Sequence, residues 1–463
     1  MWEKSITKKL ENLGIPLHML DRSSIGLRAH TKPIIQLFEQ RSIPDEGWND
    51  DQITQLLYVL SHLDSDKDPQ SIRIGEREGR ISTQLLSNQI GGFCHGVGRS
   101  GELAAPQPKA AGASLMQNLS NKVSFSLLKS LGLSNIKSSL VVPMGTGMSL
   151  GLALRGALAH FQINSTKKNM VLMTQIDHNS PIKGIKYIGA EIITIPGHFG
   201  KNYYASEGVY TDMAEIESIF QKNSDSVCAI ITNCAFFAPR VPDNIKEISK
   251  FAKKNELIHI INNAYGVQSS DILKIIRGAI DAGKVDAIIQ STDKCFLTPV
   301  GGAIIASPNS ELIQTISKSY AGRASAAPAM HLLTSLLSMG KNGYLSKMKQ
   351  QKENLFILQS ELKNLAENLG EKLIDCGNKV SCALTLSKFS QDQISKLGGF
   401  LYNLRVTGPR IIDLNKSEFG SCTNKTEIPF SYVVMNAAIG VEKKHILLAI
   451  QMLKKAFIQI QDK

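Results

Sequence analysis

Between residues 139 and 307 the chain alternates short apolar, largely β-branched runs with helical stretches. The runs are Leu140-Val-Val, Met170-Val-Leu-Met, Glu191-Ile-Ile-Thr-Ile, Val227-Cys-Ala-Ile-Ile-Thr, Ile258-His-Ile-Ile and Val285 to Gln290. Helical patterns lie between them: from a glycine turn to His160, from Pro181, at about 243–255 and at about 270–280. Strands without a polar face must be covered on both sides, and strands joined through helices run parallel. The pattern therefore predicts an α/β fold around a largely parallel sheet. In such sheets ligands bind beyond the carboxyl ends of the strands.

At 463 residues the chain exceeds what one core normally fills. Residues 1–70 read as a polar helical extension. Ile6, Leu10 and Leu13 recur at helical spacing until Gly14 and Pro16. Ile34, Leu37 and Phe38 repeat the pattern, and then Ile53, Leu56, Leu57 and Leu60. Helices this short must pack on the body or on another subunit. Lys4, Lys8, Lys9, Arg22, Arg28 and Lys32 decorate the region. Residues 71–340 form the expected large domain, and 341–463 a smaller α+β domain. In the latter a long helix at about 340–370 precedes a strand at 380–386, a helix from Gln391 to Leu404, a strand at Tyr432-Val-Val-Met and a closing helix from Lys443 to Ile460.

The strand ending at Gln290 leads into Ser291-Thr-Asp-Lys294, and Pro299-Val-Gly301-Gly302-Ala-Ile-Ile follows. This puts one lysine at the mouth of a buried strand. Partial burial favours the neutral, nucleophilic amine that an aldehyde requires, and the Ser291 hydroxyl can bind a phosphate. The pair suggests covalently held pyridoxal phosphate; a solvated loop lysine after a core strand is the other reading. Gly145-Thr146-Gly147, between a strand and a helix, offers free N–H groups to a phosphate, or is a plain glycine turn. Gly96-Val-Gly98-Arg99-Ser100-Gly101 matches G-x-G-x-x-G, yet no strand precedes it and Ala105-Pro-Gln107-Pro-Lys109 follows. That excludes a dinucleotide turn. Arg99, Ser100, Gln107 and Lys109 instead suit a second phosphate-sized anion, with Arg77 and Arg80 nearby, or a solvated charged loop. Asn262 ends a strand, where an amide could hydrogen-bond a pyridine nitrogen but not charge it; a turn role is the alternative. His178 could stack on such a ring, or be structural. Arg323, among small residues, has room for a bidentate anion contact, or is a surface arginine.

Composition narrows the class. No segment is long and apolar enough to span a bilayer, and the N-terminus does not read as a signal peptide. Seven cysteines without a C-x-x-C pair suit reduced thiols in the cytoplasm, not a disulfide framework or a metal site. An excess of 52 basic over 40 acidic residues, formally +12, is compatible with a polyanionic partner such as RNA.

Taken together, these segments resemble the O-phosphoseryl-tRNA(Sec) selenium transferase family, also called Sep-tRNA:Sec-tRNA synthase. The likeness runs through Gly75–Arg80, His95–Ser114, Val141–Leu150, Asn262–Ser270, Gln290–Ala306, Gly322–Ser325 and Leu404–Arg410, and so through nearly the whole chain. Arg73-Ile-Gly-Glu-Arg-Glu and Tyr402-Asn-Leu-Arg-Val-Thr-Gly-Pro-Arg410 look like its archaeal branch. The resemblance implies a fold-type-I pyridoxal phosphate transferase with a mainly parallel, seven-stranded type of sheet. It implies a cytoplasmic homotetramer that converts O-phosphoseryl-tRNA(Sec) to selenocysteinyl-tRNA(Sec) with selenophosphate, in selenocysteine biosynthesis, with no membrane or DNA partner. Lys294 would carry the cofactor as a Schiff base. Arg77 would contact the cofactor across a subunit boundary. Gly145, Thr146, Gly147, His178, Asn262 and Ser291 would complete its site. Arg99, Ser100, Gln107 and Arg323 would hold the phosphate of the phosphoseryl group. Arg410 would read the tRNA acceptor end, and the N-terminal helices would build the tetramer and touch the tRNA.

Two positions depart from the family pattern. His178-Asn179-Ser180 stands where some members have glutamine-lysine-serine, and Asp281 where some have a basic residue. Lys274, Arg277 or Lys284 could substitute for the latter. Rival readings are a cysteine desulfurase, the related enzyme making cysteinyl-tRNA, and a non-catalytic tRNA-binding scaffold. A desulfurase needs a mobile loop cysteine, and Cys376, Cys382 and Cys422 carry no such loop signature. A scaffold would not need Lys294.

Overall fold

A computed structural model of the protein describes residues 13–164, 166–176, 178–204, 206–414 and 428–461; at 23, 24, 27, 28 and 30 it describes the backbone alone. Ile6, Leu10, the three lysines before residue 10, Asp177, Cys422 and the Arg28 side chain therefore lie outside the described residues.

Seven strands form the central sheet: β1 (Ser138–Val142), β2 (Met170–Thr174), β3 (Glu191–Ile195), β6 (Val227–Asn233), β7 (Ile258–Asn262), β8 (Ala287–Ser291) and β9 (Ala303–Ser307). Between β3 and β6 a separate hairpin, β4 (His198–Lys201) with β5 (Glu207–Tyr210), stands off the sheet. The sheet order is β1-β9-β8-β7-β6-β2-β3. Pairing is parallel from β8 through β7, β6 and β2 to β3, and β9 alone is antiparallel to both neighbours. β6, β7, β8 and β9 are buried along their whole lengths, as expected of strands covered by helices on both faces. Helices Thr146–His160, Ile245–Lys254, Ser270–Ala282 and Ser310–Lys318 provide that cover. The last three show the narrow apolar stripe of helices with one wet face, with Ile245, Ile248 and Ala252, or Ile272, Leu273 and Ile276, turned inward.

The small sheet is antiparallel, in the order β10 (Ser381–Thr385), β12 (Tyr432–Asn436), β11 (Arg410–Ile412). Helices Gln391–Asn403 and Lys443–Gln461 pack with it into a core of their own around Leu384, Leu397, Val433, Leu453 and Phe457.

The N-terminal helices do not form an independent body. Helix Asp50–Ser61 starts at a reciprocal cap: the Asn49 side chain accepts from the Gln52 N–H at 2.9 Å, and the Gln52 side chain accepts from the Asn49 N–H at 3.1 Å. It buries Ile53, Leu56 and Leu60 in the same core as helix Ala111–Ser130 and the large sheet. Fully burying a leucine or isoleucine contributes roughly 1.5–3 kcal/mol. Helix Leu17–Gln40 buries Ile34 and Leu37 but leaves Ile25, Ile35 and Phe38 exposed.

A 43-residue helical run, Ala327–Leu369, joins the two cores and breaks once, at Gly340 (φ 61°, ψ 179°). The loop 44–48 splints the break. The Trp48 N–H donates to the Leu337 carbonyl at 2.8 Å, and the N–H groups of Lys341 and Asn342 donate to Pro44 and Asp45 at 2.8 and 2.9 Å. Backbone groups that a broken helix orphans are thus satisfied from elsewhere in the chain. A Cβ on Gly340 would lie 2.5 Å from the Glu46 carbonyl carbon.

Candidate active site

Thr174, Asn233, Asn262 and Ser291 are the last residues of β2, β6, β7 and β8. Four polar side chains thus line one edge of the sheet, the edge where parallel strands leave their ligand crevice. Lys294 follows on a single helical turn, Thr292–Cys295. Its neighbours fix that turn from below: Cys295 and Phe296 are fully buried, and the Thr292 hydroxyl donates to the Gly302 carbonyl at 2.9 Å. A Cβ on Gly302 would sit 2.7 Å from that hydroxyl, so the glycine permits the approach. The Lys294 side chain is left about one third exposed, its Nζ 3.3 Å from Ser291 Oγ and 3.2 Å from Asp293 Oδ2. The Ser291 hydroxyl donates to Asp293 Oδ1 at 2.5 Å. Here Ser291 and Asp293 hold the lysine between them.

An aromatic group closes this pocket. Lys294 Nζ lies 5.6 Å from the Tyr265 ring centroid. Tyr265 is 5.0 Å from Phe237 and 6.2 Å from Phe236, and Phe236 meets His178 edge to face at 6.4 Å. Arg410, from β11 of the small sheet, lays its guanidinium over Phe237 at 4.7 Å. His178 caps helix Asn179–Tyr187, its Nδ1 accepting from the Ser180 N–H at 3.2 Å. The neutral ring therefore carries its proton on Nε2. Burial, and then the charges of Lys294 and Arg410, lower the His178 pKa and favour that neutral form. Asn179 is the first residue of the helix that His178 caps.

Helix Thr146–His160 begins at the same edge. Its N-cap, Gly145, supplies no side-chain cap, and the Thr146 hydroxyl is buried without a partner. The space a Gly145 side chain would occupy is open. Gly147 serves another purpose: a Cβ there would meet the Ser180 carbonyl at 2.6 Å, so this glycine lets two helices cross. Asn262 Oδ1 and both amide atoms of Gln290 are also buried and unpaired. A half-buried lysine, an uncapped helix start with an unpaired hydroxyl, and an unpaired amide oxygen at a strand end match the aldehyde, phosphate and ring nitrogen of pyridoxal phosphate. The residues present fit the cofactor.

The segments expected to hold a second anion are brought together at backbone level. Val97 and Ala324 exchange two N–H···O bonds, of 2.9 and 3.0 Å, across 227 residues of chain. This bridge sets the Arg99–Ser100 turn beside Gly322–Arg323. A Cβ on Gly98 would lie 2.8 Å from the Glu102 carbonyl, so this glycine serves a tight loop and not a dinucleotide turn. One Arg323 nitrogen donates to the His95 carbonyl, while its Nε is buried and unpaired. Burial, and then the nearby Arg77, lower the Arg323 pKa. Arg99 and Ser100 are exposed and Gln107 is half-buried. Lys109 is engaged, 2.6 Å from Glu78. Arg77 is 67% exposed and touches Glu76 at 3.2 Å.

Sequence reasoning did not single out Asp293, Phe236, Phe237, Asn233, Thr174 or His95. Each of the first five ends a strand or follows one within four residues, which was the available signal. Asp281 accepts a hydrogen bond from Asn135. Of the basic residues near it, Lys274 pairs with Asp271 at 3.8 Å, and Lys284 pairs with Asp286 at 3.7 Å. Cys376 and Cys382 are buried.

Comparison with known proteins supplies what geometry alone does not. A model of the family described as O-phosphoseryl-tRNA(Sec) selenium transferase matches residues 63–458. The transferase of that name from Methanocaldococcus jannaschii is 39% identical over 441 residues, covering 95% of this chain and 97% of the relative. The one from Dictyostelium discoideum is 38% identical, with 95% and 96% covered. The crystal structure of an archaeal O-phosphoseryl-tRNA(Sec) selenium transferase superposes with a TM-score of 0.87 at 38% identity, covering 95% of this chain and 98% of that one. A Burkholderia pseudomallei sphingosine-1-phosphate lyase superposes with a TM-score of 0.58 at 14% identity, over 96% of this chain and 91% of that one, a likeness of fold alone.

Proposed function

The chain belongs to the O-phosphoseryl-tRNA(Sec) selenium transferase family, fold-type-I enzymes that use pyridoxal phosphate to form selenocysteinyl-tRNA(Sec), and we propose how its residues divide that work. Bound at the β-strand edge, the cofactor supplies an electron sink for the α-carbon of the substrate. Lys294 would anchor it and would serve as general base for the α-proton of the substrate. Thr146 and the helix start behind Gly145 hold its phosphate, with Gly147 keeping that helix close. His178 would lie against the ring and Asn262 would meet the ring nitrogen. Ser291 and Asp293 orient the lysine. Arg77 reaches the cofactor of a neighbouring subunit, which its exposure supports.

Arg99, Ser100, Gln107 and Arg323 bind the phosphate of the phosphoseryl group. Their charge stabilises it as it leaves the β-carbon. Selenophosphate then adds its selenium to that carbon, and water removes the remaining phosphate. Arg410 approaches the tRNA acceptor end from the small sheet. The position of its guanidinium over Phe237, near His178, favours a contact with the terminal ester over one further along the tRNA. The assembly is a homotetramer. The exposed Ile25, Ile35 and Phe38, together with Ile72 and Ile74 at 91% and 92% exposure, support a buried contact there. No described helix is long and apolar enough to cross a membrane, and a tRNA substrate supports a cytoplasmic location.

The observation that carries this division is the Val97–Ala324 bridge, which puts Arg323 beside Arg99 and Ser100. A neutral seryl hydroxyl needs no such charge. The test compares phosphoseryl-tRNA(Sec) with seryl-tRNA(Sec), each with selenophosphate. Wild-type protein should convert only the former. Arg323→Ala should lower kcat/KM by roughly one to two decades, at about 1.5–3 kcal/mol for each charge-assisted contact, and blunt competition by free phosphate. Lys294→Ala should lose turnover and the cofactor's visible absorbance while still binding tRNA. Equal conversion of both substrates would remove the phosphate site from the account.

A further inference from the structure

Asn262, Asn233 and Thr174 end three adjacent strands, β7, β6 and β2, and their side chains form a chain of hydrogen bonds leading inward to Asp243. Asp243 is fully buried. Its Oδ2 accepts from the Thr174 hydroxyl at 2.6 Å and from the Asn233 N–H at 2.7 Å. Its Oδ1 accepts from Arg240 at 2.8 Å and from the Thr211 hydroxyl at 3.1 Å. The Asn233 amide nitrogen donates to the Thr174 carbonyl at 3.0 Å and to its hydroxyl oxygen at 2.8 Å. The Asn262 amide nitrogen donates to Asn233 Oδ1 at 2.9 Å.

The direction of this chain is forced. A carboxylate and a backbone carbonyl can only accept. Asp243 therefore takes the Thr174 hydroxyl proton, and the Thr174 carbonyl takes one from the Asn233 amide nitrogen. Asn233 must then present its oxygen to Asn262, and Asn262 must answer with its nitrogen. What remains is Asn262 Oδ1, buried and without a partner. Every donor in the chain points toward Asp243, so each link polarises the next and leaves the outer oxygen more negative.

Building on the reading that pyridoxal phosphate sits here with its ring nitrogen toward Asn262, we propose that Asp243, Thr174 and Asn233 are positioning residues that lock the Asn262 carboxamide with its oxygen toward the ring, so that the site holds the ring nitrogen in its protonated, N–H form. An amide free to rotate could offer its NH2 to an unprotonated ring nitrogen equally well. The relay removes that choice. The ring is then a stronger electron sink than an amide partner alone suggests, without a carboxylate in contact with it.

The test uses holoenzyme carrying pyridoxal phosphate labelled with 15N in the ring. Wild-type protein should show the low-frequency 15N resonance of a protonated pyridine nitrogen. Asn233→Ala should move that resonance toward the unprotonated position while the cofactor stays attached to Lys294. Asn262→Asp, an acceptor by nature, should keep it protonated. An unprotonated resonance in wild-type protein overturns the inference, and this measurement needs no variant to fold. An unmoved resonance in Asn233→Ala overturns the relay. If borohydride traps no cofactor on Lys294, the underlying reading of the site fails, and the inference falls with it; trapped cofactor with an unprotonated ring sinks the inference alone.

Discussion

At the residue scale, charge state is set by who can donate. His259 shows this away from the active site. It is fully buried between strands, its Nδ1 at 2.8 Å from the Lys284 carbonyl and its Nε2 at 3.0 Å from the Thr232 hydroxyl. The carbonyl fixes the proton on Nδ1. Burial pushes the pKa down to about 4. The unfolded chain titrates near 6.5. Above that value neither state is protonated and His259 contributes nothing. As pH falls from about 6.5 to about 4, the unfolded chain takes a proton that the folded one refuses, so stability declines by roughly 3 kcal/mol, at 1.36 kcal/mol per unit. Asp64 and Asp286, both raised to about 6 by burial, act with the opposite sign over part of that range. The informative quantity is therefore the difference between wild-type protein and His259→Gln in denaturant unfolding at several pH values. That difference should vanish from the slope above pH 7 and grow below 6.5. Parallel curves down to pH 4 would mean the imidazole titrates normally.

At the scale of elements, the break at Gly340 is the joint between the two cores. Its φ of 61° suits glycine, and a side chain there would run into the loop 44–48. Gly340→Ala should destabilise by at least about 1–3 kcal/mol. Gly278→Ala, in the middle of helix Ser270–Ala282 with open space where its Cβ would go, should stabilise by roughly 0.5–1 kcal/mol. Thermal unfolding of the two proteins should shift in opposite directions. The sequence made the elements of the large sheet readable because buried parallel strands are apolar from end to end, as in Ile258–Asn262 and Ala287–Ser291. It hid β11, whose three residues are half-buried, and the polar hairpin β4–β5. It also hid helix Ala111–Ser130, where serines and small residues blur the apolar stripe. Lys294 and Asn262 were readable as strand-end residues. The partners that give them direction were not: Asn233 lies 29 residues from Asn262, and only strand register makes them neighbours. The N-terminal helices read as an extension that must pack on the body or on another subunit, and Ile34, Leu37, Ile53, Leu56 and Leu60 lie in the core of the large sheet. Helical spacing identifies an apolar face but not what covers it.

For the whole molecule, the formal charge of +12 becomes a thermodynamic statement through tRNA. Basic groups that neutralise phosphates release counterions, so affinity should fall as salt rises. About five such contacts would weaken binding by roughly two to three orders of magnitude over a fourfold rise in salt. Arg410→Ala should weaken tRNA binding while leaving the cofactor's colour intact. An affinity flat in salt, measured by filter binding, would rule out an interface that follows the backbone phosphates. The Val97–Ala324 bridge also has a meaning for synthesis on the ribosome. Arg99 and Ser100 emerge early, Lys294 late, and Arg323 later still. A chain whose Lys294 has just emerged still lacks Ala324, the bridge partner of Val97. The bridge that pairs these two segments therefore forms only after β9, the last strand of the large sheet, has been made.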